Sequence, residues 1–250
     1  MGPGPLPQPD TSDLNVGLIA ALPAEVRCLT DQVIGLDIPV RINQQLVCLT
    51  CGMGAERAHQ AAQRLLALDI KALVSWGTAG ALVKELRSGD LFIPDIIYST
   101  RGDTHIPDSD WGRRIIQALG RTSVTIRTGP LAETTNILTS ARKKSDLHAK
   151  TGASATDMET AAIIKTAHNA GLPCIAIRSI VDEADMALPE KVLKYTNAYG
   201  KPDLLRLLVG IFCAPRQISH LYQLSCAMRA AINTLTTVAN DTNETLMYQY

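Results

Sequence analysis

The chain has 250 residues, of which 46% are hydrophobic, and its 24 acidic residues are balanced by 24 lysines and arginines. This length is enough for one large α/β domain with a well-buried core and does not require two. The balanced charge gives no indication of a nucleic-acid partner, and no apolar stretch reaches the roughly twenty residues of a membrane-spanning helix. Residues 1–15 hold four prolines without the pattern of an export signal, so we expect a disordered lead-in before a single domain over residues 16–250.

Short apolar runs alternate with helical segments from residue 16 onward, and beyond residue 188 the pattern becomes helical. Strands are predicted at 16–21, 46–51, 73–76, 91–98, 124–127 and 174–177, and helices after Pro23 and at 55–68, 160–170, 188–208 and 217–240. This alternation predicts a three-layer α/β/α fold with a central mixed, largely parallel sheet.

The six cysteines lie mostly in apolar runs, which is typical of reduced core residues in a cytoplasmic protein. Cys48 and Cys51 have the spacing of half a zinc site, but no second pair follows, and structural zinc needs four ligands. The five histidines show no pairing at metal spacing. The sequence therefore predicts no metal site.

Two glycine-rich segments follow predicted strands. Gly52 and Gly54 open a helix as in a dinucleotide-binding loop, but Arg57 stands where the third glycine belongs, so this signal is weak and a flexible turn between strand and helix is favoured. In the segment 77–81, small residues would let a ligand approach the main chain, and Thr78 offers a hydroxyl. Such a turn can cradle a phosphate, a ribose or an attacking water, or it can be a close-packed structural turn.

Three acidic residues flank predicted junctions between strands and helices. Taken alone, Glu25, Glu159 and Asp182 would be an ordinary helix-dipole charge, an early-helix acid and a loop or cap residue. Together they fall on what should be one rim of the sheet, and an open α/β sheet binds ligands beyond the carboxyl ends of its strands. We therefore expect the three carboxylates to surround one ligand site.

These segments, in their order and separations, resemble the nucleoside phosphorylase and nucleosidase superfamily over roughly residues 16–240. The resemblance lies in Val16–Val26, Cys51–Gly54, Gly77–Ala81, Ser88–Leu91, Asp157–Glu159 and Arg178–Asp185. It implies cleavage of the bond between an adenine base and the ribose of a small-molecule purine nucleoside. It also implies water or phosphate as co-substrate, no cofactor, and a homo-oligomer built from dimers or trimers.

The resemblance also implies roles for individual residues. Asp182 matches the family's purine-contacting acid, which protonates the leaving base, and Met158 with Glu159 matches the pair that binds the ribose. Thr78 matches the hydroxyl beside the nucleophile, and Ala79 and Gly80 follow it in the same substrate-binding segment.

The choice between hydrolysis and phosphorolysis depends on arginines. Phosphorolytic relatives carry a phosphate-binding arginine three residues before the hydroxyl residue, where this chain has Ser75. Glu25 matches the acid that hydrolytic members, the methylthioadenosine and S-adenosylhomocysteine nucleosidases, use to activate water. Hydrolysis is favoured, although Arg57, Arg101 or an arginine of a neighbouring subunit leaves phosphorolysis open.

Two departures and one further likeness bear on the substrate. Val181 stands where hydrolytic relatives have a serine that orients the acid, so either Asp182 is oriented differently or another partner orients it, and no adenine-stacking aromatic is evident in 131–138. Residues 195–205 and the last helix most closely resemble the hopanoid-associated phosphorylase branch, whose members are thought to remove adenine from adenosylhopane. The apolar residues of 204–212 could then line a groove for a bulky 5′ substituent, or lie in the core or in a dimer interface.

Two other classes of function stay open at this point. Because of Val181, a non-catalytic nucleoside-binding protein is compatible with the same motifs. A dinucleotide-dependent oxidoreductase rests on Gly52 and Gly54 alone.

Overall fold

The structure is a computed structural model that describes residues 15–30, 32, 35–188, 217–242, 246 and 248. Apart from residues 15 and 188, the predicted lead-in, the predicted helix over 188–208 and the apolar residues of 204–212 lie outside these ranges. Within them, no helix is both long and apolar enough to cross a lipid bilayer.

The described ranges contain one mixed sheet, which confirms the predicted α/β class. Its strands are β1 (Val16–Ala20), β2 (Val40–Arg41), β3 (Leu46–Thr50), β4 (Ala72–Ala81), β5 (Leu91–Tyr98), β6 (Thr104–His105), β7 (Ile126–Glu133), β8 (Ala155–Asp157) and β9 (Cys174–Asp182). Their order is β2-β3-β1-β4-β8-β7-β5-β6, and β9 pairs with both β4 and β5. The pairs β1/β3, β1/β4, β4/β9, β5/β7 and β7/β8 are parallel, and the other four are antiparallel.

The sheet is not the open one that the sequence pattern suggested. Because β9 bonds to β4 on one side and β5 on the other, the five strands β4, β8, β7, β5 and β9 close into a ring. In this part of the fold, the strands that carry the predicted site residues therefore belong to a closed ring and not to an open sheet.

Helices cover both faces of the sheet, as a three-layer fold requires. They are α1 (Pro23–Val26), α2 (Ala55–Leu66), α3 (Ser109–Ala118), α4 (Ala141–Thr151), α5 (Thr160–Asn169) and α6 (Gln217–Asp241). Leu65 of α2 and Ile163 of α5 pack into the core on one face, and Trp111 of α3 and Leu235 of α6 pack into the core on the other. Side chains alternate along a strand, so β1 serves both cores.

Three strands run further than predicted. β4 was expected to break at Gly77 but continues to Ala81, and β9 was expected to end at Ile177 but continues to Asp182. The two extensions pair with each other, from Gly77 opposite Arg178 to Ala79 opposite Ile180, so each supplies the hydrogen-bond partners of the other. β7 was expected at 124–127 but runs from Ile126 to Glu133.

Two helices, α3 and α4, were not predicted from the sequence. α3 begins at Asp108, whose carboxylate accepts a hydrogen bond from the amide of Trp111 at 2.8 Å. α4 begins at Ser140 and ends before Gly152, which has a left-handed φ of 71°. Only one side chain of α4 is buried, and it is that of Lys144.

A buried ion pair ties the ring of strands to α5. The Nε of Arg178 donates to the Oδ2 of Asp157 at 2.8 Å, and the two side chains are 3% and 2% exposed. The Nη2 of Arg178 also donates to Ser75 Oγ at 2.6 Å and to Thr160 Oγ1 at 2.7 Å. Residues of β4, β8, β9 and α5 thus share one polar network.

Replacing Arg178 by leucine would leave the Asp157 carboxylate buried and unpaired. We expect the free energy of unfolding to fall by about 3–5 kcal/mol, as measured by urea denaturation. The matched control is Arg113→Leu, which removes an exposed pair with Asp110 and should cost at most about 1 kcal/mol. Equal decreases in the free energy of unfolding for the two variants would show that the buried pair does not stabilise the fold.

Candidate active site

All the site residues predicted from the sequence line one cavity of about 340 Å³. Glu25, Glu159 and Asp182 open onto it, together with Met158 and the segment 78–80. Much of the remaining wall is apolar, and it is formed in part by Leu22, Met53, Ile137, Leu138, Leu188 and Met228. The tertiary structure therefore brings together acids that are up to 157 positions apart, since Glu25 and Asp182 differ by that number.

Glu25 is held in place by hydrogen bonds from three donors. Its Oε2 accepts from the amide of Leu22 at 2.9 Å, and its Oε1 accepts from the amide and the hydroxyl of Thr78 at 2.9 and 2.8 Å. The residue is 2% exposed, and burial raises the pKa of its carboxyl above the usual value despite these donors. A raised pKa makes Glu25 a stronger proton acceptor than an ordinary glutamate.

The glycine at the start of the segment 77–81 makes room for this carboxylate. Gly77 has a φ of 151°, and a Cβ built on it would lie 2.8 Å from the carboxyl carbon of Glu25. The segment is strand rather than turn, and here its glycine accommodates an acid of the protein itself.

Glu159 precedes α5 and is fixed by the first glycine-rich loop. Its Oε1 accepts a hydrogen bond from the amide of Gly54 at 2.7 Å, and Gly54 has a φ of 108°, a left-handed value that favours glycine. Burial, and in second place the nearby Asp157, raise the pKa of the Glu159 carboxyl. The loop that resembled a dinucleotide motif thus positions an acid.

Asp182 is the last residue of β9 and pairs with a residue that the sequence analysis missed. The Nζ of Lys144 lies 2.6 Å from Asp182 Oδ2, and the lysine side chain is 1% exposed. Burial raises the pKa of the Asp182 carboxyl, and Lys144 offsets only part of that rise, because desolvation of a buried pair exceeds its mutual attraction. The only signal in the sequence was a lysine in an otherwise polar helix, which does not distinguish a buried side chain from an exposed one.

A smaller cavity adjoins the acids. It measures about 10 Å³, the space needed by the centre of one water molecule, and Glu25, Glu159 and Arg178 contribute polar groups to its wall. Arg57 and Arg101 line neither this cavity nor the larger one.

Aliphatic side chains occupy the part of the wall where an aromatic residue was sought. From the segment 131–138, Thr134, Ile137 and Leu138 line the cavity, and from α6, Leu224 and Met228 do so. Among the described residues that line the larger cavity, none is aromatic.

Gly80 makes room for Asp182 as Gly77 does for Glu25. A Cβ on Gly80 would lie 2.7 Å from Asp182 Oδ1, so Gly80→Ala should lower the free energy of unfolding by about 1–3 kcal/mol through overpacking. Gly120→Ala is the matched control, because nothing lies within 4 Å of its Cβ, and it should change stability by less than about 0.5 kcal/mol. Equal urea midpoints for the two variants would contradict the close approach at Gly80.

Solved structures share this fold at low sequence identity. The 5′-methylthioadenosine/S-adenosyl homocysteine nucleosidase of Helicobacter pylori matches with 16% identity and a TM-score of 0.66, over 91% of this chain and 98% of that one. Futalosine hydrolase of the same organism matches with 15% identity and a TM-score of 0.64, over 91% and 98%. The nucleosidase of Neisseria meningitidis, in complex with methylthio-immucillin-A, matches with 18% identity and a TM-score of 0.65, over 90% and 97%.

Sequence comparisons give two results. None of the curated proteins compared matches the chain significantly. The sequence profile of the phosphorylase superfamily matches residues 16–199, which is well over half of the 250 residues. The chain therefore belongs to the phosphorylase superfamily, and it is accordingly an enzyme of the nucleosidase or phosphorylase type.

Proposed function

We propose that the protein hydrolyses the N-glycosidic bond of an adenine nucleoside with a modified 5′ group and releases free adenine. The observation that carries the proposal is the arrangement of Glu25, Glu159 and Asp182 around one apolar cavity, next to a space for a single water. The solved neighbours, which are named as methylthioadenosine/S-adenosylhomocysteine nucleosidases and a futalosine hydrolase, support this class of reaction.

Asp182 acts on the leaving base. As the bond between C1′ and the purine nitrogen breaks, the bonding electrons stay with the base. A proton from the Asp182 carboxyl neutralises the negative charge that the base thereby acquires. Because burial raises the pKa of Asp182, the carboxyl holds this proton at a higher pH than an exposed aspartate does.

Glu159 and Met158 hold the sugar. The Glu159 carboxyl accepts hydrogen bonds from ribose hydroxyls, and the Met158 side chain packs against the ring. These hydrogen bonds strengthen as positive charge develops on the sugar ring while the base leaves.

Glu25 acts on the nucleophile. A water in the small cavity lies within reach of the Glu25 carboxylate, which takes one of its protons as the oxygen bonds to C1′. The products are adenine and the free 5′-modified ribose, and the two proton transfers leave Glu25 protonated and Asp182 ionised.

The charges of the site favour water over phosphate. The Glu25 carboxylate, which is ionised when it acts as the base, lines both cavities and repels an anion. Arg178, which lines the small cavity, directs its guanidinium to Asp157, Ser75 and Thr160. These contacts hold the arginine in the fold instead of pointing it at a phosphate.

The apolar wall accounts for a modified 5′ group. Leu22, Met53, Leu224 and Met228 would meet a ribose substituent with aliphatic and thioether groups, which suit an alkyl or alkylthio substituent better than a free hydroxyl. A hopanoid substituent, and a homo-oligomer that completes the pocket, stay hypotheses.

Phosphate dependence tests the proposed reaction. Adenosine, 5′-methylthioadenosine and a lipid-linked adenosine are incubated with the protein, with and without phosphate, and adenine and sugar products are quantified. We expect adenine and free 5′-modified ribose from a modified substrate at equal rates in both conditions. Formation of a ribose 1-phosphate only when phosphate is present would show phosphorolysis, and binding without adenine release would show a non-catalytic binding protein.

Glu25→Gln tests the base. The amide cannot accept the proton, so we expect kcat to fall by about 10²–10⁴-fold, whereas the exposed Glu56→Gln should leave it unchanged. In the unmodified enzyme kcat/KM should fall as the pH drops below the raised pKa of Glu25, because the protonated acid is no longer a base. If the kcat/KM of Glu25→Gln still fell at low pH as it does in the unmodified enzyme, that fall would be due to another group and Glu25 would not be the base.

A further inference from the structure

The one buried residue of α4 is a lysine. Lys144 has a side chain that is 1% exposed, whereas both of its neighbours in the helix, Lys143 and Ser145, are exposed. Burying an ammonium group is unfavourable unless its protons are all hydrogen bonded. A lysine at this position therefore needs compensating partners, and the structure shows three.

The ammonium of Lys144 has three polar partners, and all of them belong to the segment 182–186. Nζ lies 2.6 Å from Asp182 Oδ2, and it donates to the main-chain oxygens of Glu183 at 2.5 Å and Met186 at 3.2 Å. An ammonium has three donors, so its capacity is filled. Lys144 thus fixes the end of β9 and the segment after it, which leads to Leu188 in the wall of the cavity.

No other described side chain donates a hydrogen bond to Asp182. The preceding residue, Val181, has no hydroxyl, and the second carboxylate oxygen faces Gly80, whose Cβ position would lie 2.7 Å away. The partner that Asp182 was expected to need is therefore found on α4, 38 positions earlier in the sequence, and it is charged.

Other charges face Asp182 across the same cavity. Glu25 from α1, and Asp157 and Glu159 at the junction of β8 and α5, all line it. Glu183 turns its carboxylate away, to the Nη1 of Arg87 at 2.8 Å. Lys144 is thus the one cation among the described residues in direct contact with the Asp182 carboxylate.

We propose that Lys144 is the positioning residue for the leaving-group acid: its ammonium holds the Asp182 carboxyl toward the base and stabilises the carboxylate that remains after the proton has moved to the purine. This inference rests on the proposed function. The contact with Lys144 orients the carboxyl, as a neutral serine hydroxyl at position 181 would. It also adds a positive charge, whose attraction for the Asp182 carboxyl is strongest once Asp182 is ionised.

The sign of the pH effect follows from this contact. Asp182 must be protonated to act, so activity is lost as the pH rises through its pKa. Lys144 lowers that pKa against the larger effect of burial. Removing the lysine should therefore move the alkaline limb of the kcat/KM profile to higher pH while reducing kcat.

The test compares Lys144→Met with Lys143→Met, its exposed neighbour on α4. For Lys144→Met we expect kcat to fall on the order of 10²-fold, as for a misplaced catalytic group, with the alkaline limb moved to higher pH. Lys143→Met should keep both the rate and the profile. A loss of rate with an unmoved alkaline limb would reduce Lys144 to a structural residue and overturn the proposal.

A second comparison remains decisive if Lys144→Met does not fold. Asp182→Asn is measured with and without Lys144→Met, which gives a double variant without an unpaired buried charge. If Lys144 acts through Asp182, the second substitution should not reduce the residual rate further, whereas a multiplicative loss would contradict the proposal. Absence of adenine release by the unmodified enzyme would instead refute the proposed function, so the two failures are distinguishable.

Discussion

The carboxylates of Glu25, Asp157, Glu159 and Asp182 line the larger cavity, and each of these residues is at most 8% exposed. An ionised carboxylate that is removed from water without partners costs several kcal/mol. Each of the four carboxylates has such partners, which are main-chain amides, a threonine hydroxyl, an arginine or a lysine. These donors come from distant parts of the chain, so the strand pairing and the acid cluster depend on each other.

The same chemical group is given different properties by its partners. Asp157 pairs with an arginine that is also bonded to β4 and α5, which makes this acid part of the framework. Glu25 receives only neutral donors, so burial dominates and its pKa rises. Asp182 has a cation on one side and the open cavity on the other. Burial raises the pKa of both the Glu25 and the Asp182 carboxyl, so the two acids differ in their partners and not in the direction of the pKa shift.

Close packing around the acids explains the glycines. Gly77 and Gly80 lie beneath the carboxylates of Glu25 and Asp182, and Gly54 takes the left-handed conformation that directs its amide to Glu159. Gly77 and Gly80 both lie on β4, which pairs with β9 in this segment with one change of register at Ala79/Gly80. Asp182 is thereby held on a paired strand and not on the loop inferred from the sequence.

The sequence by itself determined the α/β class, most strand positions, the helices around 55–68, 160–170 and 217–240, and the identity of the three acids. These features are local: apolar runs, capping residues and short motifs are visible in consecutive residues. It failed where pairing between distant segments decides the outcome. β4 and β9 extend because each completes the other, and the sheet closes because β9 reaches both β4 and β5.

Only the tertiary structure revealed the partner of Asp182. A lysine in a polar helix is normally solvated, and nothing near Lys144 in the sequence indicates that it is buried. Its position becomes meaningful once α4 is packed against the end of β9, where the ammonium meets a carboxylate and two carbonyl oxygens. Burial and contacts between distant residues are properties of the folded chain, so the contact of Lys144 with Asp182 could not be predicted from the sequence.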